Sequence, residues 1–148
     1  MLKILTDVNT NNSDKNFLVP ALKRQTLLWV QAVYTTNATA GNRNLTLDIN
    51  DGNPANVIFR INAGAVQAAS LTNRYSIFNG APRGAAFVAN MIEIPVPMIA
   101  LLPGWRIRIF DLAAIAPAGA GENLLLTLAV NERDSAGVDS IGDDMGFR

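Results

Sequence analysis

The sequence predicts an all-β fold, an antiparallel β-sandwich of jelly-roll type with extended termini, and three observations predict it. Short runs of alternating apolar and polar residues recur along the 148-residue chain, the period of a strand whose two faces meet different surroundings. Gly, Pro, Asn and Asp punctuate these runs, which is turn chemistry. No long amphipathic helical pattern separates them, so the strands must pair by hairpins and crossovers within one sandwich or barrel.

The elements follow in order. A strand is expected near Ile4, and residues 16–25 read as a short helix or an extended lead-in. In residues 26–35, Leu28, Val30, Ala32 and Tyr34 fall on one face and Leu27, Trp29, Gln31 and Val33 on the other. Both faces are largely apolar, as in a strand inside a sandwich or at an interface. Residues 36–42 form a turn. Leu45, Leu47 and Ile49 then alternate with Thr46 and Asp48 in a half-buried strand closed by residues 50–54.

Val57, Phe59 and Ile61 alternate with Arg60 and Asn62, and a further strand is expected at residues 75–78. Ile92, Ile94 and Val96 alternate around Glu93 and Pro95. Pro95 and Pro97 lack an N–H for the ladder, which puts this segment at an edge or a bend. After the Pro103-Gly104 turn, Trp105, Ile107 and Ile109 alternate with Arg106 and Arg108. Leu124, Leu126, Leu128 and Val130 make one face of the closing strand. Eight strands in two sheets is the jelly-roll count. The chain divides into an N-terminal arm or lead-in (1–24), a sandwich domain (25–133) and an acidic C-terminal arm (134–148).

Composition bounds what such a domain does. Hydrophobic residues make up 49% and charged residues 16%, against about 25% charged in an ordinary soluble domain. With so few charges, the surface must be rich in neutral polar groups or partly covered by other subunits. The 16 Asn residues serve the first need. The second is served by three linkers built from small apolar residues instead of the usual polar ones: residues 63–70, 82–89 and 112–121. Ala65 and Val66 in the first, and Ala85 and Phe87 in the second, are candidate subunit contacts.

Twelve basic and twelve acidic residues cancel, so no overall field draws the chain to nucleic acid or to a membrane. The last fifteen residues carry Asp134, Asp139, Asp143 and Asp144 against Arg148 alone, leaving a net +3 on residues 1–133. That polarity suits head-to-tail contact, with Arg106 and Arg108 pairing the acidic tail of a neighbour and Ile141, Met145 and Phe147 anchoring the tail. Met1 to Val8 lacks the basic start and apolar run of a secretory signal. The longest apolar run is five residues, far short of a membrane span.

The search for chemistry excludes most of it. With no His and no Cys, there is no Ser-His-Asp triad, no thiol nucleophile, and neither a thiolate nor an imidazole metal site. No phosphate-binding Gly-rich loop is present. Glu93, Asp111, Glu122, Glu132, Asp48 and Asp51 show no spacing that marks an acid–nucleophile pair. The run Asp48, Ile49, Asn50, Asp51, Gly52 departs from a calcium loop, with Phe59 where the bidentate Glu belongs. It reads as a hairpin turn. Trp29 and Trp105 sit among apolar neighbours and are read as core or interface residues; the alternative is a sugar-stacking platform of Trp105, Tyr75 and nearby Asn. No enzyme activity, cofactor, metal or small-molecule substrate is expected.

Four stretches carry a resemblance: residues 27–34 (LLWVQAVY), 42–52 (NRNLTLDINDG), 102–111 (LPGWRIRIFD) and 124–132 (LLLTLAVNE). In order and turn chemistry they resemble small jelly-roll-like virion structural proteins of tailed bacteriophages, over residues 25–133. The resemblance implies a homotrimer or other homo-oligomer that decorates or cements the capsid by binding the major capsid protein. Head–tail connectors or tail accessory proteins are the alternative it offers. It implies a protein made in the host cytoplasm without a signal peptide and located on the capsid exterior or at the head–tail junction. It brings no catalytic residue.

Overall fold

The computed structural model describes residues 1–9, 11, 14–64, 66–81, 90–113 and 121–135, and within them the protein is all-β without a helix. Ten strands form: β1 (Leu2–Asp7), β2 (Lys15–Leu18), β3 (Lys23–Thr35), β4 (Leu45–Asn50), β5 (Val57–Asn62), β6 (Thr72–Phe78), β7 (Met91–Pro95), β8 (Ala100–Leu101), β9 (Arg106–Asp111) and β10 (Asn123–Asp134). They make two packed sheets. The larger runs β1-β10-β3-β6-β7, with β8 added beside β3; the smaller runs β2-β9-β4-β5. All pairs are antiparallel except β6–β7, which is parallel, a pairing that needs the long connection between Phe78 and Met91.

The core lies between the sheets. From the larger sheet come Leu27, Val30, Ala32, Tyr34, Tyr75, Ile77, Ile92, Ile94, Leu124, Leu126, Leu128 and Val130. From the smaller come Leu45, Leu47, Ile49, Ile107 and Ile109. These are mostly the residues that period-two alternation turns inward. The proline-bearing β7 is an edge strand, as its missing N–H requires.

Three sequence expectations are corrected. Residues 1–24 are not an arm, because β1 joins the larger sheet and β2 the smaller; Lys15–Leu18 is too short and too irregular to show its period in sequence. The phase of β3 slips at a bulge. Ala129 faces Trp29 and Val130 faces Leu27, so Leu28 is the extra residue. Leu27 therefore points into the core at 1% exposure, and Leu28 does not continue the row of Val30, Ala32 and Tyr34. A bulge shifts every later side chain by one position, which alternation alone cannot foresee. The β4 strand is not half-buried. Thr46 and Asp48 on its outward face are as buried as Leu47, because neighbouring side chains cover them.

At one end of the sandwich the turn after β4 meets the turn before β9. Gly52 has φ +98°, and a Cβ there would lie 2.7 Å from the Gly104 carbonyl oxygen. Only glycine fits.

Candidate interaction surface

The outward face of the larger sheet is built in cross-strand rows. Following the register, Ile4 lies beside Ala129, Ala129 beside Trp29, Trp29 beside Phe78 and Phe78 beside Pro95. This row is wholly apolar and crosses five strands. The next row, Thr6, Thr127, Gln31, Ser76 and Glu93, is polar. A third row of Leu125, Val33, Arg74 and Met91 is mostly apolar again. Aromatic and β-branched neighbours across strands stabilise a sheet, and here they also leave apolar area in water. Ile4 is 50% exposed and Leu2 64%. Around Trp29 the surface forms a depression of about 420 Å³, whose lining includes Leu28, Gln31, Ser76, Phe78, Asn79 and Glu93.

The outward face of the smaller sheet is largely polar, and its charged groups pair with one another. Asp48, fully buried, accepts two hydrogen bonds from Arg60, Nε to Oδ1 and Nη2 to Oδ2, each 2.6 Å. This is the bidentate geometry a guanidinium prefers. Arg108 stands 4.0 Å from the same carboxylate and donates to Asp14 through Nε at 2.7 Å. Its guanidinium carbon lies 3.9 Å from the Phe110 ring centroid, and that of Arg60 at 5.8 Å. Two cations thus lie against one aromatic ring over one carboxylate.

A third polar group closes one end of the sandwich. Arg43 and Glu122 are both fully buried. Arg43 donates from Nε (2.8 Å) and Nη2 (2.5 Å) to Glu122 Oε1, from Nη1 to the carbonyls of Thr39 and Gly41 (2.7 Å each), and from Nη2 to Asn37 Oδ1 (2.9 Å). All five guanidinium N–H groups are used. The Tyr34 hydroxyl donates to Glu122 Oε2 at 3.0 Å and lies 3.3 Å from Asp111 Oδ2. Burial first, then these two carboxylates, hold that phenol well above its ordinary pKa. The Tyr75 hydroxyl donates to Gln67 Oε1 (2.7 Å), and Gln67 Nε2 donates to the Tyr34 and Leu71 carbonyls. Tyr75 is likewise raised, chiefly by burial. The network ties together the connections β3–β4, β5–β6 and β9–β10. With Arg43, Glu122 and Tyr34 at 0% exposure, it offers nothing to a substrate; it holds loops. Among the described residues no group of three or more His, Cys, Asp or Glu is placed to hold a metal ion.

Those contact residues expected from sequence that are described do not meet on one surface. Trp29 lies on the outward face of the larger sheet, Arg106 and Arg108 on that of the smaller, and Val66 on the β5–β6 connection, 60% exposed. Trp105 packs against the core and donates its backbone N–H to the Leu102 carbonyl. The platform of Trp105 with Tyr75 is overturned, because Tyr75 is 1% exposed inside the sandwich. Arg108 is engaged within its own chain by Asp14 and Asp48, so it is not held open for a neighbour's tail. Ala65, Ala85, Phe87, Ile141, Met145 and Phe147 lie outside the described residues, as do residues 82–89 and 136–148. Sequence reasoning missed the Arg43–Glu122 pair. The partners are 79 positions apart, and the one signal was charge at the mouth of two strands in a chain short of charge. No protein-family model, curated protein or solved structure matches this chain.

Proposed function

We propose that this chain is a non-enzymatic structural protein of a tailed-phage virion, a decoration or cement protein that binds neighbouring shell subunits. The observation that carries the reading is the row Ile4, Ala129, Trp29, Phe78 and Pro95 on the outward face of the larger sheet. An apolar stripe of this extent, rimmed by a polar row, is the signature of a surface meant to be covered. Burial stabilises at roughly 25 cal/mol per Å² of apolar area, and over many copies that resists internal pressure without chemistry. The strand order gives support of a second kind. Leaving out β7 and β8, the sheets read β1-β10-β3-β6 and β2-β9-β4-β5. That order supports reading the sandwich as a jelly roll, an architecture frequent in capsid proteins, in line with the sequence resemblance.

Mass spectrometry of purified particles tests the reading. A copy number comparable with the shell protein is the expected result; a single ring's worth would move the protein to the head–tail junction, and absence from particles would overturn the proposal. One observation favours a second reading, a carbohydrate-binding module: the depression at Trp29 pairs two aromatic rings with Gln31, Ser76, Asn79 and Glu93, donors and acceptors suited to sugar hydroxyls. Glycan binding abolished by Trp29→Ala, with incorporation into particles unchanged, would favour it.

A further inference from the structure

We propose that two copies of this chain join edge to edge through β1, antiparallel and centred on Leu5, so that the larger sheet continues across a two-fold axis. Among the described residues the edge is open. Glu132 donates its N–H to the Met1 carbonyl at 2.7 Å, which makes Met1 opposite Glu132 a hydrogen-bonded pair. In an antiparallel ladder such pairs alternate. Met1, Lys3, Leu5 and Asp7 therefore direct their backbone groups to β10, while Leu2, Ile4 and Thr6 direct theirs away. No described strand lies on that side.

The other three edges carry devices that discourage pairing. β7 ends in Pro95, with Pro97 beyond it; β2 has four residues; β5 is bulged, since Phe59 faces Ile49 and Val57 faces Asn50, leaving Ile58 over. β1 has six residues with no proline and no bulge, and carries Leu2 and Ile4 exposed on its outward side, followed by Val8 at 68% exposure. Its one cation, Lys3, is drawn to Glu132 at 3.3 Å.

Two conditions select the register. Residues with outward-directed backbone groups must face each other, and charges must complement. Pairing Leu2 with Val8, Ile4 with Thr6, Lys3 with Asp7 and Leu5 with its own copy meets both. Lys3 and Asp7, which within the chain already touch Glu132 and Lys15 at 3.3 Å each, then face each other twice as opposite charges at close non-hydrogen-bonded positions, and Leu2 and Val8 cover each other. The shift that sets Ile4 against its own copy leaves Lys3 facing Leu5. A continuous sheet about this axis turns both outward faces, with their Trp29 rows, to the same side, and so presents two apolar stripes to one surface. That consequence rests on the virion reading; the pairing does not, and its test needs no particle.

The chain has no Cys, so a single introduced thiol reports on one contact. Leu5→Cys, oxidised at dilution, is expected to give a covalent dimer. Its two Cα atoms would lie about 4.5 Å apart across a non-hydrogen-bonded pair, within disulfide reach. Ile4→Cys is expected to cross-link at least tenfold more slowly. Thr6→Pro removes an N–H that serves only the outer edge, and Ile4→Lys places a charge there. In the Leu5→Cys background each is expected to abolish the cross-link while leaving the far-ultraviolet circular dichroism unchanged. Preferential cross-linking from position 4 would overturn the register. A wild-type chain that sediments as a monomer at every concentration, with no cross-link from Leu5→Cys, would overturn the pairing.

Discussion

On the outward face of the smaller sheet, Asp48 is gripped by Arg60 and approached by Arg108, and both guanidiniums lie against Phe110. On the outward face of the larger sheet, Trp29 and Phe78 lie side by side with Ile4 and Pro95, and Ile4 stays half exposed. The same chain has thus paired the charges of one face among its own side chains and left part of an apolar row exposed on the other. A face whose charges are consumed internally has little to offer a partner. A face whose apolar row is left in water gains free energy only when something covers it. The comparison narrows the sequence expectation: Arg108 is engaged within its own chain and Arg106 has no ion pair among the described residues, and of the contact residues expected from sequence Trp29 is the one that the proposed reading rests on.

The largest expected effect lies where internal pairing is complete. Glu122→Gln leaves the Arg43 cation buried with its main acceptor neutralised, and should cost about 3–5 kcal/mol in urea unfolding. A loss below about 1 kcal/mol would mean that the end of the sandwich is not stapled as described. Trp29→Ser should act on association instead. It is expected to weaken binding to the shell by about 2 kcal/mol or more, roughly thirty-fold, as hot-spot aromatics do, with the unfolding midpoint little moved. A midpoint that falls as far as in Glu122→Gln would place Trp29 in the core and dissolve the contrast.

Asp48→Asn should show the reverse pattern at smaller size. About 1–3 kcal/mol of stability is lost with the charge-assisted bonds from Arg60, while association is unchanged in a sedimentation measurement. The smallest effect is one of pH. The Gln25 amide, and then the Lys3 ammonium, hold the Glu132 carboxyl below its ordinary pKa of 4.5; Lys23 lowers Asp134 in the same way. A depressed carboxyl pKa contributes stability that is complete above the unfolded value and is lost as pH falls through the folded one. The wild type should therefore soften in acid below about pH 4.5, and Glu132→Gln should flatten that limb in a pH series of thermal melts.

Alternation made most of the inward-facing core readable in advance, from Leu45, Leu47 and Ile49 to Leu124, Leu126, Leu128 and Val130, because period two is a property of the strand itself. The prolines marked β7 as an edge for an equally local reason. What was hidden depends on partners distant in sequence. The bulge at Leu28 is set by the register against β10, not by its own neighbours. Asp48 is buried by Arg60 and Arg108 from two other strands, and Arg43 meets Glu122 only after the sheets have closed. The open row was half legible. Trp29 was singled out, but Phe78, Ile4 and Pro95 join it through pairings that no single strand discloses.

Photo-crosslinking during particle assembly tests the central contrast most directly, with p-benzoylphenylalanine placed at position 29 on one face or at position 106 on the other. The account predicts an adduct with the shell protein from position 29 and none from position 106. An adduct from position 106 alone, or particles that form with no adduct from either, would contradict it.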